Sequence, residues 1–223
     1  MVGEKNDFTW SRSRYASGLA DYKESIMLVN DEKLALVEEK LFKLDAILEN
    51  MESVVVAFSG GVDSTFLAAA AYRVLGDRAL AVTAISASYA EGELENARIL
   101  ADTIGIDLEV VYTEELGNPD YVRNGSDRCY HCKTALADKL ELVVHRFGER
   151  YREMIYGAIS DDMGDYRPGM EAASARGLKA PLINAEMTKA DVRELSKRWG
   201  LPTWDRPASA CLSSRIPYGT EVT

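Results

Sequence analysis

No apolar run in this sequence approaches the roughly twenty residues needed to span a bilayer, which leaves no candidate membrane helix. The first thirty residues lack the apolar stretch of a secretion signal as well, mixing Trp10, Arg12, Arg14 and Tyr15 with several serines. A cytoplasmic protein without a membrane partner is expected. Positive charge is in short supply: 26 Lys and Arg face 36 Asp and Glu, a formal net charge of −10. A broad nucleic-acid surface needs clustered Lys and Arg, so nucleic acid is not an expected partner, and the overall field suits work on small molecules. Cysteine is scarce. Cys129, Cys132 and Cys211 are the only three, and an odd number in a reducing compartment does not make a disulfide framework. A metal site, a reactive thiol or buried small apolar groups remain. Internal repeats and low-complexity tracts are missing too.

What is present is an ordinary globular composition, 47% hydrophobic and 28% charged, in 223 residues. That length accommodates one α/β domain with a well-buried core and a small appendage. Residues 1–30 show no clear periodicity and are read as a flexible arm. From Asp31 to Met51, Leu34, Val37, Leu41, Leu44, Leu48 and Met51 recur every three or four positions, the stripe of an amphipathic helix. Ser53–Phe58 is a continuous apolar run of strand length, the pattern of a strand covered on both faces. Further strands are predicted at Ala79–Ile85, Leu108–Thr113, Met154–Ile159 and Ala180–Ile183. Helices are predicted through Leu75, over Glu91–Ile104, Asp127–Phe147 and Met170–Arg176, and over Lys189–Trp199. This alternation predicts an α/β fold: a parallel five-stranded sheet with helices on both faces, ligands binding at the carboxyl ends of the strands. The loops after Phe58, Ile85, Thr113 and Ile159 are expected to ring one site. The expected division is an arm at 1–30, a nucleotide domain at 31–200, and a Pro-rich segment at 201–223 that begins a smaller C-terminal portion.

The strand Val54–Phe58 runs straight into Ser59-Gly60-Gly61-Val62-Asp63-Ser64-Thr65. Adjacent glycines permit positive φ and close backbone approach, and the helix that follows offers unpaired N–H groups at the positive end of its dipole. With the hydroxyls of Ser59, Ser64 and Thr65 this makes a phosphate socket. It is not a Walker A loop, because the Gly-Lys-Ser/Thr ending is absent, and it is not the GxGxxG of a dinucleotide fold. The alternative is a tight strand–helix turn with no ligand. The string resembles the SGGxDS signature of the PP-loop ATP pyrophosphatases, with an adenine nucleotide alpha hydrolase-like fold. The resemblance implies ATP cleavage between the α and β phosphates and adenylation of a substrate oxygen. Ser59, Gly60, Gly61, Asp63, Ser64 and Thr65 would then hold pyrophosphate with Mg²⁺, and Ala84 to Ser86 would meet the adenine. Asp63 and Asp161 or Asp162 are reasonable Mg²⁺ partners, since this ion takes oxygen ligands and bridges phosphates.

Ser126 is the expected cap of the long helix, which puts Cys129 and Cys132 three apart near its N-terminus, where thiol pKa values are lowered. Lys133 follows at once, within reach of an ATP phosphate. Three readings of the cysteines stand: unrelated thiols; a zinc site with His131 as fourth ligand, awkward because His131 adjoins Cys132; or a 4Fe-4S cluster with one iron lacking a protein ligand. Asp161-Asp162-Met163-Gly164-Asp165-Tyr166-Arg167-Pro168-Gly169 and Ala210-Cys211-Leu212-Ser213-Ser214-Arg215-Ile216-Pro217-Tyr218-Gly219 resemble the LarE family of sulfur transferases, which build the nickel-pincer nucleotide cofactor of lactate racemase. The likeness runs from Asp31 to Gly219. It implies that ATP adenylates a carboxylate of pyridinium-3,5-biscarboxylic acid mononucleotide and that sulfur displaces AMP to give a thiocarboxylate. Some members give up the sulfur of one cysteine, at the position of Cys211. Members that also carry CxxC resemble the cluster-bearing branch, which implies ATP, Mg²⁺ and a 4Fe-4S cluster on Cys129, Cys132 and Cys211. Lys133, Ser214 and Arg215 match motif positions near ATP and the substrate phosphate. The implied partners are a nucleotide substrate and a sulfide source or sulfur donor, and self-association stays open. The family pattern continues into a C-terminal portion beyond Thr223. The rival readings are a tRNA thiolase, an ammonia-using PP-loop enzyme and a non-catalytic ATP sensor.

Overall fold

The structure is a computed structural model that describes residues 12–86, 92–164, 167–207 and 211–223, the stretch 12–31 through its backbone alone. The chain divides into two compact units, Met1–Glu39 and Lys40–Thr223. Helix α1 spans Arg12–Met51 and so starts well before the Asp31 boundary drawn from periodicity. A helix without an apolar period leaves no amphipathic signature to read. Of the stripe that was read, Leu41, Leu44, Leu48 and Met51 are buried, whereas Leu34 is 41% exposed. The expected helix start at Glu91 and parts of the two later motifs, Asp165, Tyr166 and Ala210, lie outside the described residues.

In the second unit four parallel strands form one sheet in the order β3-β2-β1-β4. They are β1 (Val54–Ala57), β2 (Ala79–Ile85), β3 (Asp107–Tyr112) and β4 (Glu153–Tyr156). Val54 pairs with Ala79 of β2 on one side and with Glu153 of β4 on the other, so β1 lies inside the sheet and is fully buried. Two helices follow β1 and β2 directly, α2 (Val62–Leu75) and α3 (Glu93–Ile104). The chain then forms α4 (Pro119–Val122), α5 (Arg128–Phe147), α6 (Pro168–Ala175), α7 (Pro181–Asn184) and α8 (Lys189–Arg198).

Period-two alternation along β1 and β2 divides their side chains between two layers. Val55, Ala57, Leu80 and Val82 cluster with Ala137, Leu140 and Val143 of α5 and Ala173 of α6. The intervening Val54, Val56, Ala79 and Ala81 are equally buried and point to the other face, where α2 packs with Phe66, Leu67, Ala68, Ala70 and Ala71 buried. Helix α8 lies on α2, and Phe66 stacks on Trp199 at 4.9 Å between ring centres. Helices thus cover both faces, as the alternation predicted.

The predicted fifth strand is a correction. Residues 180–183 form the start of α7, and only Lys179 bridges to Ile155 of β4. Pro181 is the physical reason: it has no N–H to give a ladder, and its fixed φ suits the first turn of a helix. Among the described residues no helix is long and apolar enough to cross a membrane.

Candidate functional site

The strand order makes β1 the switch point of the sheet, because the chain passes from β1 toward β2 and β3 on one side and to β4 on the other. Ligands of open parallel sheets bind outside the carboxyl ends at such a point. A cleft of about 890 Å³ opens there. Ser59, Gly61, Asp63 and Ser64 line it from the β1–α2 turn, Ala84 from β2, and Tyr156, Gly157 and Asp162 from the end of β4 and its loop. The loop after β3, expected to join this ring, instead carries Glu115 toward the thiols.

The turn itself is held by its own hydroxyls. Ser64 Oγ accepts the Ser59 N–H at 3.2 Å, lies 3.0 Å from Ser59 Oγ and donates to the Gly61 carbonyl at 3.2 Å. Gly60 has φ +71, a conformation that side chains rarely adopt, and its carbonyl accepts Arg206 Nη1 at 3.1 Å. Gly61 stands at the N-cap of α2 and, among the described residues, no side chain caps that helix start, which lies beside the cleft lined by Gly61, Asp63 and Ser64. Gly157 explains how β4 comes so near: a Cβ there would lie 2.9 Å from the Ser64 nitrogen. Thr65, expected on the phosphate, is fully buried, its hydroxyl has no hydrogen-bond partner, and it does not line the cleft. Ser86 follows β2 directly, likewise outside the cleft wall.

Lys189, which sequence reasoning missed, belongs to the same cleft. Its ammonium donates to both oxygens of Asp63, at 2.7 and 2.5 Å. Thr188 caps α8 by a reciprocal capping box with Asp191, and Asp161 accepts the Lys189 N–H at 2.8 Å, so the turn bearing this lysine is fixed from both sides. Asp162 accepts the Ile159 N–H at 3.0 Å and pairs with Arg167 at 2.7 Å. The signal for Lys189 was a helix start, Thr188 with Asp191 three residues on, but nothing local tied it to a turn 126 residues away.

Of the three thiols only that of Cys129 belongs to the cleft wall, on the side of α5. Helix α5 begins at Arg128 with Asp127 as N-cap, without a side-chain capping bond, which corrects Ser126 as the expected cap. Cys129 lines the cleft, and Gly169 packs on it so closely that a Cβ would come within 3.3 Å of the Cys129 carbonyl. Cys132 sits deeper, its sulfur 3.9 Å from Glu115 Oε1. Burial, followed by the Glu115 charge, pushes the Cys132 thiol up to about 11, with Lys133 opposing. The lowered pKa expected from the helix N-terminus is therefore reversed at Cys132, because desolvation next to a carboxylate outweighs the dipole. Lys133 lines the cleft with its ammonium 5.6 Å from the Tyr156 ring centre, and burial holds its pKa below the ordinary lysine value against the pull of Cys132 and Cys129.

Cys211 comes from the far end of the chain to lie against Ser214, beside the cleft and not in its wall. Its sulfur is 2.9 Å from Ser214 Oγ, and the buried Arg128 reaches Ser214 Oγ at 3.4 Å and Cys129 Sγ at 3.9 Å. The charges of both Cys129 and Cys211 act on Cys132. A second cavity of about 350 Å³ adjoins, lined by Arg128, Ser214, Arg215 and Ile216 among others. Cys129 and Tyr218 stand in the walls of both cavities. Among the described residues no group of three or more His, Cys, Asp or Glu side chains is arranged to hold a metal ion. His131, the fourth ligand that a zinc site would need, is engaged with Asp127 at 3.4 Å, and the Arg128 guanidinium stands 3.9 Å from Cys129 Sγ.

The profile of the NAD synthase family matches residues 37–138. An uncharacterized protein of Synechocystis sp. is 46% identical over 188 residues, covering 84% of this chain and 69% of that protein. The pyridinium-3,5-bisthiocarboxylic acid mononucleotide synthase of Lactiplantibacillus plantarum is 35% identical over 191 residues, covering 85% of this chain and 68% of the synthase. Among solved structures, the NMN synthetase of Francisella tularensis superposes with TM-score 0.60 at 18% identity, over 78% of this chain and 74% of that one. The ammonia-dependent NAD synthetase of Campylobacter jejuni gives 0.54 at 17%, over 76% and 74%. At these identities the structural likeness speaks for the fold alone.

Proposed function

Because the chain belongs to the pyridinium-3,5-bisthiocarboxylic acid mononucleotide synthase family, the LarE family of PP-loop ATP-using enzymes, we propose that it converts a carboxylate of pyridinium-3,5-biscarboxylic acid mononucleotide to a thiocarboxylate at the expense of ATP. The observation that carries this reading is that the cleft is walled by the turn after β1 on one side and by Cys129 on the other, with Cys129 tied through Arg128 and Ser214 to Cys211 and with Cys132 within the electrostatic reach of both. The unit 31–200 supplies the nucleotide site in this reading, and 201–223 delivers the third cysteine. A cytoplasmic, reducing setting would keep the three thiols free of disulfides.

The residues divide the work. The N–H groups at the start of α2, with Ser59 and Ser64, bind the departing pyrophosphate, and Asp63 and Asp162 offer oxygens to Mg²⁺. Lys189 neutralises Asp63 until the ion arrives and then turns to the phosphates. Lys133, whose pKa burial lowers from the ordinary lysine value, balances the charge that builds on the α-phosphate. The substrate carboxylate oxygen bonds to the α-phosphorus as the bond to pyrophosphate breaks. A sulfur nucleophile then attacks the carbonyl carbon of the acyl adenylate and AMP leaves. Arg215 and Ser214 stand where a substrate phosphate can be held next to that carbon. Keeping both steps in one cleft shields the adenylate from water. A 4Fe-4S cluster on Cys129, Cys132 and Cys211 would supply an iron without a protein ligand, a place for hydrosulfide.

A second reading has its own support, since Cys211 is exposed beside Ser214 Oγ. Its thiolate attacks the adenylate, AMP leaves, and β-elimination passes the sulfur to the product and leaves dehydroalanine at 211.

The test is anaerobic purification with iron and sulfide analysis, then incubation with MgATP, sulfide and the biscarboxylate mononucleotide. Pyrophosphate, AMP and thiocarboxylate in equal amounts over many turnovers are expected. Pyrophosphate without thiocarboxylate would refute sulfur transfer, and a single turnover that leaves dehydroalanine in place of Cys211 by mass spectrometry would select the second reading.

A further inference from the structure

The segment that bears Cys211 has little regular structure of its own, yet it is fastened to the helix that bears the other two thiols by buried polar groups. Asn124, at the corner between α4 and α5, is fully buried and adopts φ +55, a conformation that asparagine tolerates better than most side chains. Its side-chain amide donates to the carbonyls of Pro217 at 2.9 Å and Thr220 at 2.8 Å, with Ile216 at 3.4 Å. Its main-chain carbonyl accepts Gly219 N–H at 3.1 Å, and the Val122 carbonyl accepts Val222 N–H at 3.0 Å. At the first position of α5, Arg128 is 4% exposed. Its Nη1 donates to Asn124 Oδ1 at 2.7 Å and to the Ser213 carbonyl at 2.6 Å, while Nη2 faces Ser214 Oγ and Cys129 Sγ. Tyr121 completes the set, its hydroxyl 2.7 Å from Ser213 Oγ, both side chains buried.

Among the described residues no carboxylate pairs with Arg128. A buried guanidinium without a counter-charge is costly, and an apolar residue of similar length would fill the space at lower cost if packing were all that was required. What the guanidinium provides instead is geometry, a planar fork that ties the first turn of α5 to two successive residues of the Cys211 segment. We propose that Asn124 and Arg128 form a buried clamp that holds Cys211 at the CxxC pair, with Arg128 as a positioning residue for sulfur delivery. The proposal rests on the reading that the three thiols act together.

The test needs neither iron nor turnover. Reduced, metal-free protein is treated with the thiol-bridging reagent dibromobimane, and bridged peptides are identified by mass spectrometry. The unmutated protein is expected to give Cys211 bridged to Cys129 or Cys132. Arg128→Met should cut that product about tenfold, the scale of losing hydrogen bonds to a charged group, while the Cys129–Cys132 bridge and MgATP binding persist. Arg128→Lys should fall between, because one ammonium cannot span the same acceptors. Undiminished Cys211 bridging in Arg128→Met, even with a lower melting temperature, would overturn the clamp, as would no Cys211 bridge in the unmutated protein. If Arg128→Met fails to fold, Asn124→Ser carries the same expectation and the same refutation. Failure of the functional reading would look different: bridging as described, but no thiocarboxylate from the unmutated enzyme.

Discussion

On the proposed nucleotide wall the polar groups come chiefly from one stretch of chain at the end of β1, where main-chain N–H groups, two glycines and two serine hydroxyls are already in place once the strand and α2 have formed. Around the thiols Cys129 and Cys132 share one helix, but the ties to the third are distant: Arg128 reaches Ser213 and Ser214 across 85 and 86 positions, and Cys211 arrives on a segment with little regular structure. The first wall depends on backbone geometry that neighbouring strands enforce; the second depends on a few buried side chains. A substitution on the first should therefore damage nucleotide chemistry while leaving the thiols in place, and one on the second should disturb the thiols while leaving nucleotide binding intact.

Replacing the sulfur ligands is the severest way to separate the two. Cys129→Ala or Cys132→Ala should reduce bound iron to background and end thiocarboxylate formation, with MgATP binding intact by calorimetry. Iron content equal to that of the unmutated protein would refute a shared cluster. On the other wall, Asp63→Ala or Ser64→Ala should slow AMP formation by about 10²- to 10³-fold, the usual cost of losing an electrostatic partner of a developing charge. The Cys211 bridging product should be unchanged, and unimpaired AMP formation would count against the phosphate turn.

The thiols themselves offer a pH test on metal-free protein. A thiol raised from 9.0 to about 11 carries about 100-fold less thiolate at pH 8, so Cys132 should be alkylated that much more slowly than a model thiol. The rate should climb with pH to about 11, and Glu115→Gln should shift the climb to lower pH. Stability follows the same sign. Between 9.0 and about 11 the folded thiol keeps a proton that the unfolded chain has lost, so this group makes the fold less stable as pH rises through that window. A plateau near pH 9 would contradict the buried setting of Cys132.

Smaller effects probe how the walls are joined. Lys189→Met should weaken MgATP binding about tenfold, one charge-assisted bond, with little change in iron content. Thr188→Ala removes the cap beneath that lysine and should cost about 1 kcal/mol, or a melting temperature lower by about 2–4 °C.

Much of the scaffold was legible. The sheet strands found at Val54–Ala57 and Ala79–Ile85 coincide with apolar runs, and α5 and α8 begin and end within a residue of their predicted bounds. The errors have identifiable sources. Pro181 turned an apolar run into a helix start, and Asp127 displaced Ser126 as cap. Lys189 and Arg128 looked like ordinary helix charges, because nothing in their own neighbourhood reveals which distant group they meet.

The sequence by itself determined the glycine-rich strand–helix turn and the alternating sheet, since both follow from short-range rules: period-two burial, glycine conformations and the start of a helix. Only the tertiary structure decided that Cys211 joins Cys129 and Cys132, that Lys189 faces Asp63, and that Cys132 holds its proton. Those outcomes depend on desolvation and on side chains far apart in the chain, and such terms exist only after the chain has packed.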